Sequence, residues 1–99
     1  MNIKLAFIPD YATNNGHMFY IVCKDIDQRT ALINKLKNKN ILAVFHYLSL
    51  HSSQFYKELH DGRELINSDM YSNCLLRLPM YYELENEQID EIVNVLFND

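Results

Sequence analysis

The stretch ILAVFHYLSLH, residues 41–51, runs from five successive apolar side chains into a segment with two histidines and a tyrosine. Five apolar residues in a row are typical of a strand that is covered on both faces, since a half-exposed strand alternates apolar and polar residues. We therefore predict a buried strand over residues 41–45. Because strand ends beside loops often carry ligand-binding groups, we predict that His46, Tyr47 and His51 form a functional tip.

A second strand and a helix precede this stretch. Residues 17–24 (HMFYIVCK) are rich in aromatic and β-branched side chains, which predicts a strand. Asp25 or Asp27 can cap a helix over residues 28–38, in which apolar residues recur at spacings of three and four. The order is therefore strand, helix, strand, and a connection through a helix predicts that the two strands run parallel.

The remaining segments complete a small α+β domain. We expect a short extended segment in residues 1–8, a helix capped by Ser68, a last strand in residues 75–80 and a final helix from residue 85. Helices would cover one face of a three- to four-stranded sheet. Apolar residues on the other face would then have no partner in this chain, which indicates that another protein surface belongs there.

Composition limits the chain to one domain, residues 1–99, and excludes several classes of protein. The hydrophobic fraction of 48% is ordinary for a globular protein. A formal net charge of −4 argues against nucleic-acid binding, which relies on clustered Lys and Arg. No apolar run approaches the roughly 20 residues that span a bilayer, so we predict no membrane segment and a cytoplasmic location. Cys23 and Cys74 are predicted to be buried thiols rather than a disulfide or a metal site.

The individual histidines leave alternatives open. The spacing of His46 and His51 is one that zinc ligands use, but no second pair of Cys or His ligands accompanies them, and we predict no metal site. His46 and Tyr47 can be substrate contacts, or Tyr47 can pack while His46 bonds to the backbone. His17, at the start of the first strand, leaves the same choice between a backbone contact and a ligand contact.

Four motifs resemble the C-terminal end of the DegT/StrS-type sugar-nucleotide aminotransferases. These motifs are NGHMFYI at residues 15–21, DIDQRTALIN at 25–34, AVFHYLSLH at 43–51 and LLRLPM at 75–80. The resemblance covers about residues 8–97. It implies the small C-terminal α+β domain of the fold-type I aminotransferases, which closes over an active site carried by a large domain.

The resemblance implies that the full-length enzyme uses pyridoxal phosphate to transaminate a nucleotide-linked 4-keto-6-deoxy sugar. In this family the large domain supplies the Schiff-base lysine, the aspartate beside the pyridine nitrogen and the phosphate-holding residues. None of the lysines of this chain lies in the matching motif. Since the cofactor needs that lysine and a ring-nitrogen partner, we expect no bound cofactor and no catalysis by this chain alone. Its expected partner is the missing large catalytic domain.

The resemblance also implies a role for the predicted tip in substrate binding. His46, Tyr47 and His51 fall on the family's H-Y-x-x-x-H element, which faces the active-site cleft and implies contact with the nucleotide sugar. His17, after Gly16, matches the family's entry into the first strand of this domain, also near the cleft.

Two points separate this chain from a typical relative. Relatives commonly have a proline where Ser49 stands, which implies a less rigid loop here. A chain without its catalytic domain can also be a free-standing α+β interaction or small-ligand-binding module. Such a module would cover its open sheet face by self-association into a homo-oligomer.

Overall fold

The structure, a computed structural model, describes residues 2–98. Within those residues the chain forms an α+β domain with three strands and three α-helices, which confirms the predicted fold class. The strands are β1 (Lys4–Leu5), β2 (Phe19–Val22) and β3 (Leu75–Leu78), and the helices are α1 (Ile26–Lys37), α2 (Ile66–Cys74) and α3 (Asn86–Phe97). A 3₁₀ turn, Leu50–Ser52, contains His51. No helix in residues 2–98 has the length and apolar character needed to cross a membrane.

The three strands form an antiparallel sheet in the order β1-β2-β3. Phe19 of β2 pairs with Leu78 of β3. Val44 extends the sheet beyond β3, because its N–H donates to the Arg77 carbonyl at 3.1 Å and its carbonyl accepts from the Arg77 N–H at 2.8 Å. Since β2 and the Val44 segment both run antiparallel to β3, they run parallel to each other, as predicted, with β3 inserted between them.

The buried strand predicted over residues 41–45 is wrong. Only Val44 bridges to the sheet, and Ala43 is the only residue of this segment that is fully buried. Leu42 is 79% exposed and Phe45 is 45% exposed. The apolar run misled the prediction because one face of the segment packs on the core while the other has no cover among the described residues.

Helix α1 forms as its sequence predicts and holds the core together. Asp25 caps it, since the Asp25 Oδ1 atom accepts from the Gln28 N–H at 2.8 Å. Its buried Leu36 packs into a cluster with residues from the sheet and from α3. The buried residues of this cluster are Ile21, Cys23, Leu32, Leu36, Ala43, Leu76, Leu78, Ile92, Val95 and Leu96.

The other two helices differ in how well local signals predicted them. Glu85 and Gln88 form a reciprocal capping box at the start of α3, where the final helix was predicted to begin. Ser68 was predicted to cap α2, and this is wrong: α2 begins at Ile66 and its N-cap residue, Leu65, makes no side-chain cap bond. Ser68 lies within α2, and its hydroxyl donates to Ser49.

Removal of the α1 cap is expected to destabilise the domain. Asp25→Ala leaves the Gln28 N–H without its partner, and loss of such a cap costs about 1 kcal/mol. Urea unfolding followed by circular dichroism measures the change. Asp25→Asn is the matched control, because an Asn side chain is as good an N-cap acceptor. Equal losses in the two variants would contradict the role of Asp25 as a cap.

Candidate functional site

The predicted tip lies in a loop, residues 45–51, that we call the tip loop. The His46 and Tyr47 rings stack against each other, with centroids 3.4 Å apart and planes tilted by 31°. The peptide bond that joins the two residues is cis. His46 is half-buried, whereas Tyr47 is 71% exposed. No hydrogen bond or ion pair among the described residues engages either side chain, so the imidazole nitrogens and the phenolic hydroxyl are available to a ligand.

One end of the tip loop is held by Arg29 of α1. The Arg29 Nη1 atom donates to the Ser72 carbonyl at 2.7 Å, and the Arg29 Cζ atom lies 5.3 Å from the centroid of the Phe45 ring. Ser72 is in the last turn of α2, where carbonyls have no helical partner. The guanidinium therefore joins α1, the end of α2 and the residue that directly precedes His46.

The other end of the tip loop is held by the first turns of α2. The Ser49 hydroxyl donates to the Ser68 carbonyl at 3.1 Å, and the Ser68 hydroxyl donates to the Ser49 Oγ atom at 3.0 Å. The His51 Nε2 atom lies 2.8 Å from the Asp69 Oδ1 atom, and the His51 side chain is only 13% exposed. Ser49 thus fixes the loop through hydrogen bonds that a proline, which lacks a donor, cannot make.

His17 lies apart from these contacts. Its side chain is exposed, and its Nδ1 atom lies 2.5 Å from the Asn15 Oδ1 atom. The preceding Gly16 has φ +64°, a left-handed conformation that favours glycine. No hydrogen bond, ion pair or ring contact among the described residues joins His17 to the tip loop.

The histidines at the end of the tip loop do not form a metal centre. The His51 and His60 rings lie with their centroids 5.2 Å apart. The His60 Nε2 atom lies 2.9 Å from the Arg63 carbonyl. Residues 2–98 contain no group of three or more His, Cys, Asp or Glu side chains arranged to hold a metal ion.

The two cysteines are free and buried, as predicted. The Cys23 N–H donates to the Cys74 carbonyl at 2.8 Å, so the two residues continue the pairing of β2 with β3. Burial raises the pKa of the Cys23 thiol, the neighbouring Cys74 acts in the same direction, and the Arg29 guanidinium opposes them. A raised thiol pKa means that less of the reactive thiolate is present at any given pH.

Slow alkylation of Cys23 is expected from this environment. At pH 8 the folded chain should react with iodoacetamide at Cys23 at least about tenfold more slowly than the chain in urea, because the thiolate is the nucleophile. The rate should keep rising with pH well above about 8.5, where a free thiol is already half ionised, because the pKa of the Cys23 thiol is raised. Peptide mapping by mass spectrometry measures it. Equal rates in the folded and unfolded chain would contradict the burial of this thiol.

A cleft of about 600 Å³ lies between the end of β3, residues 39–44 and α3. Lys39, Arg77 and Glu91 lie in its lining, and apolar side chains form much of the rest. A pyridoxal phosphate site needs a lysine that is activated by desolvation or by a cationic neighbour, and a carboxylate held on the ring nitrogen. Lys39 and Glu91 are both exposed. The residues of this cleft therefore do not fit the cofactor.

An exposed apolar surface surrounds the tip. Its members belong to the tip loop and the segment before it, and each is at least 39% exposed: Leu42, Val44, Phe45, Tyr47, Leu48 and Leu50. Scattered single apolar residues are normal on a protein surface, whereas a large contiguous apolar patch marks an interaction site, and these six residues fall within nine consecutive positions. The surface next to the tip therefore lacks a partner in the described chain.

Sequence patterns did not reveal the residues that hold the tip loop. Arg29 and Ser72 are separated by 43 positions, and Ser49 and Ser68 by 19. Arg29 stands within the DIDQRTALIN motif, but a single arginine on a helix reads as a solvated surface residue. Asp69 carries no local signal of its contact with His51.

Comparison with known proteins identifies the family. The model of the DegT/DnrJ/EryC1/StrS aminotransferase family matches residues 2–97. The chain is also similar to solved structures of aminotransferases, and it spans about a quarter of the length of each. The aminotransferase TlmJ from Streptoalloteichus hindustanus shares 17% identity with a TM-score of 0.82, over 95% of this chain and 25% of that one.

Two further solved aminotransferase structures are similar to this chain, which again spans only about a quarter of each. A DegT DnrJ EryC1 StrS aminotransferase from Brucella abortus shares 25% identity with a TM-score of 0.78, over 95% of this chain and 25% of that one. Helicobacter pylori PseC, an aminotransferase involved in the biosynthesis of pseudoaminic acid, shares 21% identity with a TM-score of 0.72, over 81% of this chain and 22% of that one. Since the family model spans nearly every residue, the chain belongs to the DegT/DnrJ/EryC1/StrS aminotransferase family.

Proposed function

We propose that this chain is the C-terminal small domain of a pyridoxal-phosphate-dependent transaminase that acts on a nucleotide-linked 4-keto-6-deoxy sugar. The product we propose is dTDP-4-amino-4,6-dideoxygalactose, because the four motifs resemble those of a transaminase that makes this sugar nucleotide. The observation that carries the proposal is one of coverage: 95% of this chain aligns with 25% of the TlmJ chain. The partner we propose is a large catalytic domain, and this chain is proposed to be inactive without it.

His46 and Tyr47 are the proposed substrate contacts. Their polar atoms have no partner among the described residues, and imidazole and phenol groups suit sugar hydroxyls or a diphosphate. His51 can contribute only its Nδ1 atom, because its Nε2 atom is engaged by Asp69. His17 would reach a ligand by sharing or releasing its bond to Asn15.

The two domains would contribute different parts of the transamination. Pyridoxal phosphate, held by the large domain, would supply an electron sink for the transfer of the amino group. This chain would bind and orient the nucleotide sugar through its tip. The apolar surface beside the tip would pack on the large domain and exclude water from the cleft.

A spectroscopic experiment tests the claim that the chain alone does not hold the cofactor. The purified chain is mixed with pyridoxal phosphate, reduced with borohydride and digested for peptide mapping. We expect no stable shift of the cofactor's visible absorption and no single lysine that carries the label. Stoichiometric labelling of one lysine would contradict the proposal, and Lys39 in the cleft is the residue to inspect first.

The second candidate function is a free-standing interaction or small-ligand-binding module that self-associates. The exposed apolar surface beside the tip favours it, because a second copy could cover that surface. Size-exclusion chromatography over a range of concentrations separates the two functions. A stable dimer that does not dissociate when a large domain of the family is added would favour the module.

A further inference from the structure

We propose that Arg29 is a positioning residue, which fixes the start of the tip loop and thereby the stacked arrangement of His46 and Tyr47. The consequence for substrate binding rests on the proposed function. The geometric claim does not, because it concerns the chain by itself.

The contacts of Arg29 meet at the beginning of the tip loop. Its guanidinium donates to the Ser72 carbonyl at 2.7 Å and lies over the Phe45 ring at 5.3 Å. Guanidinium is planar and rigid, so one group can donate along its edge and stack with its face. A lysine ammonium is a compact charge without that plane. A lysine can make either contact, but its compact charge does not hold both at once as a planar guanidinium does.

Helix α2 serves as the common support for both ends of the tip loop. Arg29 ties Phe45 to the last turn of α2 through Ser72, while Ser49 and His51 bond to Ser68 and Asp69 in its first turns. Between these two attachments, the His46 and Tyr47 rings contact each other, and within residues 2–98 they make no other hydrogen bond, ion pair or ring contact. Release of the Arg29 attachment would free one end of the loop and multiply the conformations open to the two rings.

The surroundings of Arg29 show that stability alone does not account for it. Its Nε atom is buried and has no hydrogen-bond partner in the described part of the chain. A buried donor without a partner is destabilising, and replacement of a buried charged group by an apolar one of similar size is often neutral or stabilising. Methionine could fill the same space without that cost. The arginine is thus explained by what its two contacts hold in place.

Nuclear magnetic resonance on the isotope-labelled chain tests the proposal. Cross-relaxation between the His46 and Tyr47 ring protons reports their stacking, and a thermal melt reports the stability of the fold. We expect Arg29→Met to keep the fold, with at most a modest fall in melting temperature from the lost bond to Ser72, while it loses the ring-to-ring signal. Phe45→Leu should lose the same signal, because it removes the ring that Arg29 contacts, and Arg29→Lys should weaken it, because a lysine cannot hold both contacts at once.

The control is Arg63→Met, which removes an exposed arginine paired with Asp61 and should leave the ring-to-ring signal unchanged. A folded Arg29→Met chain that keeps the signal overturns the proposal. Unfolding of both Arg29 variants also overturns it, because Arg29 would then be a structural residue.

A kinetic assay tests the consequence of Arg29 for the proposed function. In an enzyme assembled from this chain and a large domain of the family, Arg29→Lys should raise the KM for the sugar nucleotide more than it lowers kcat. Equal kinetics in the Arg29→Lys and unaltered enzymes, with the ring-to-ring signal lost, would refute the role in binding but not the positioning. If no assembled enzyme turns over, the proposed function fails while the magnetic-resonance result stands.

Discussion

Leu76→Ala is expected to lower the free energy of unfolding of this chain by about 2–5 kcal/mol, the range for large-to-small changes in a packed core. Leu76 is 0% exposed, pairs with Ile21 in the centre of the sheet and belongs to the core cluster. A domain of this size has a total stability of roughly 5–15 kcal/mol. The substitution therefore removes a large share of it, and urea unfolding by circular dichroism measures the loss.

Leu42→Ala is the matched control for this prediction. It removes the same atoms from a side chain that is 79% exposed, and surface substitutions usually change stability by no more than about 0.5 kcal/mol. Equal losses at the two leucines would mean that residue 42 is covered in the isolated chain. That outcome would contradict the description of the segment before the tip as lacking a partner.

His46→Ala is expected to lower kcat/KM for the sugar nucleotide by about 10- to 100-fold in an assembled enzyme. Hydrogen bonds to charged groups contribute about 1.5–3 kcal/mol, and the substrate carries a charged diphosphate. The isolated variant should stay folded, because the polar atoms of His46 bond to no described residue. Steady-state kinetics with the dTDP-linked 4-keto-6-deoxy sugar measures the loss.

Two tyrosine substitutions complete this test. Tyr47→Phe removes only the hydroxyl and should lower kcat/KM in the same direction by a smaller factor, since a neutral hydrogen bond contributes about 0.5–1.5 kcal/mol. Tyr82→Phe removes a hydroxyl from a fully exposed side chain that makes no hydrogen bond or ring contact with the tip loop among the described residues, and it should change nothing. Unaltered kinetics in the His46→Ala enzyme would remove His46 from the proposed site.

Elements with strong local signals could be predicted from the sequence. Asp25 was one of the two predicted caps of α1, which begins two residues before the predicted start, and the apolar stripe with Glu85 predicted α3. Both signals lie within one or two turns of the residues they organise. Both cysteines are buried as predicted, Cys23 in an apolar strand segment and Cys74 at the end of a short helix.

Features that depend on distant contacts could not be predicted. The start of α2 was missed because Ser68 bonds to Ser49 instead of to its own helix end. The Arg29 contact with Ser72 joins residues that no local pattern relates. For residues 41–45, an apolar run indicates that the side chains are to be covered, but not whether the cover comes from this chain or from another surface.

The exposed apolar surface and the tip have one physical explanation under the proposed function. Leu42, Phe45 and Leu48 would be covered by the large domain, and His46 and Tyr47 would project into the cleft between the two. The attachments to α2 would keep the loop in place while the domains close. The central claim is therefore that this chain completes an active site that it does not contain.

Transamination of the dTDP-linked 4-keto-6-deoxy sugar by a large domain of the family, assayed with and without this chain, tests that claim most directly. The claim predicts turnover only when both parts are present, with no product from the chain and pyridoxal phosphate alone. Turnover by the chain alone, or by the large domain at the same rate without the chain, would contradict it.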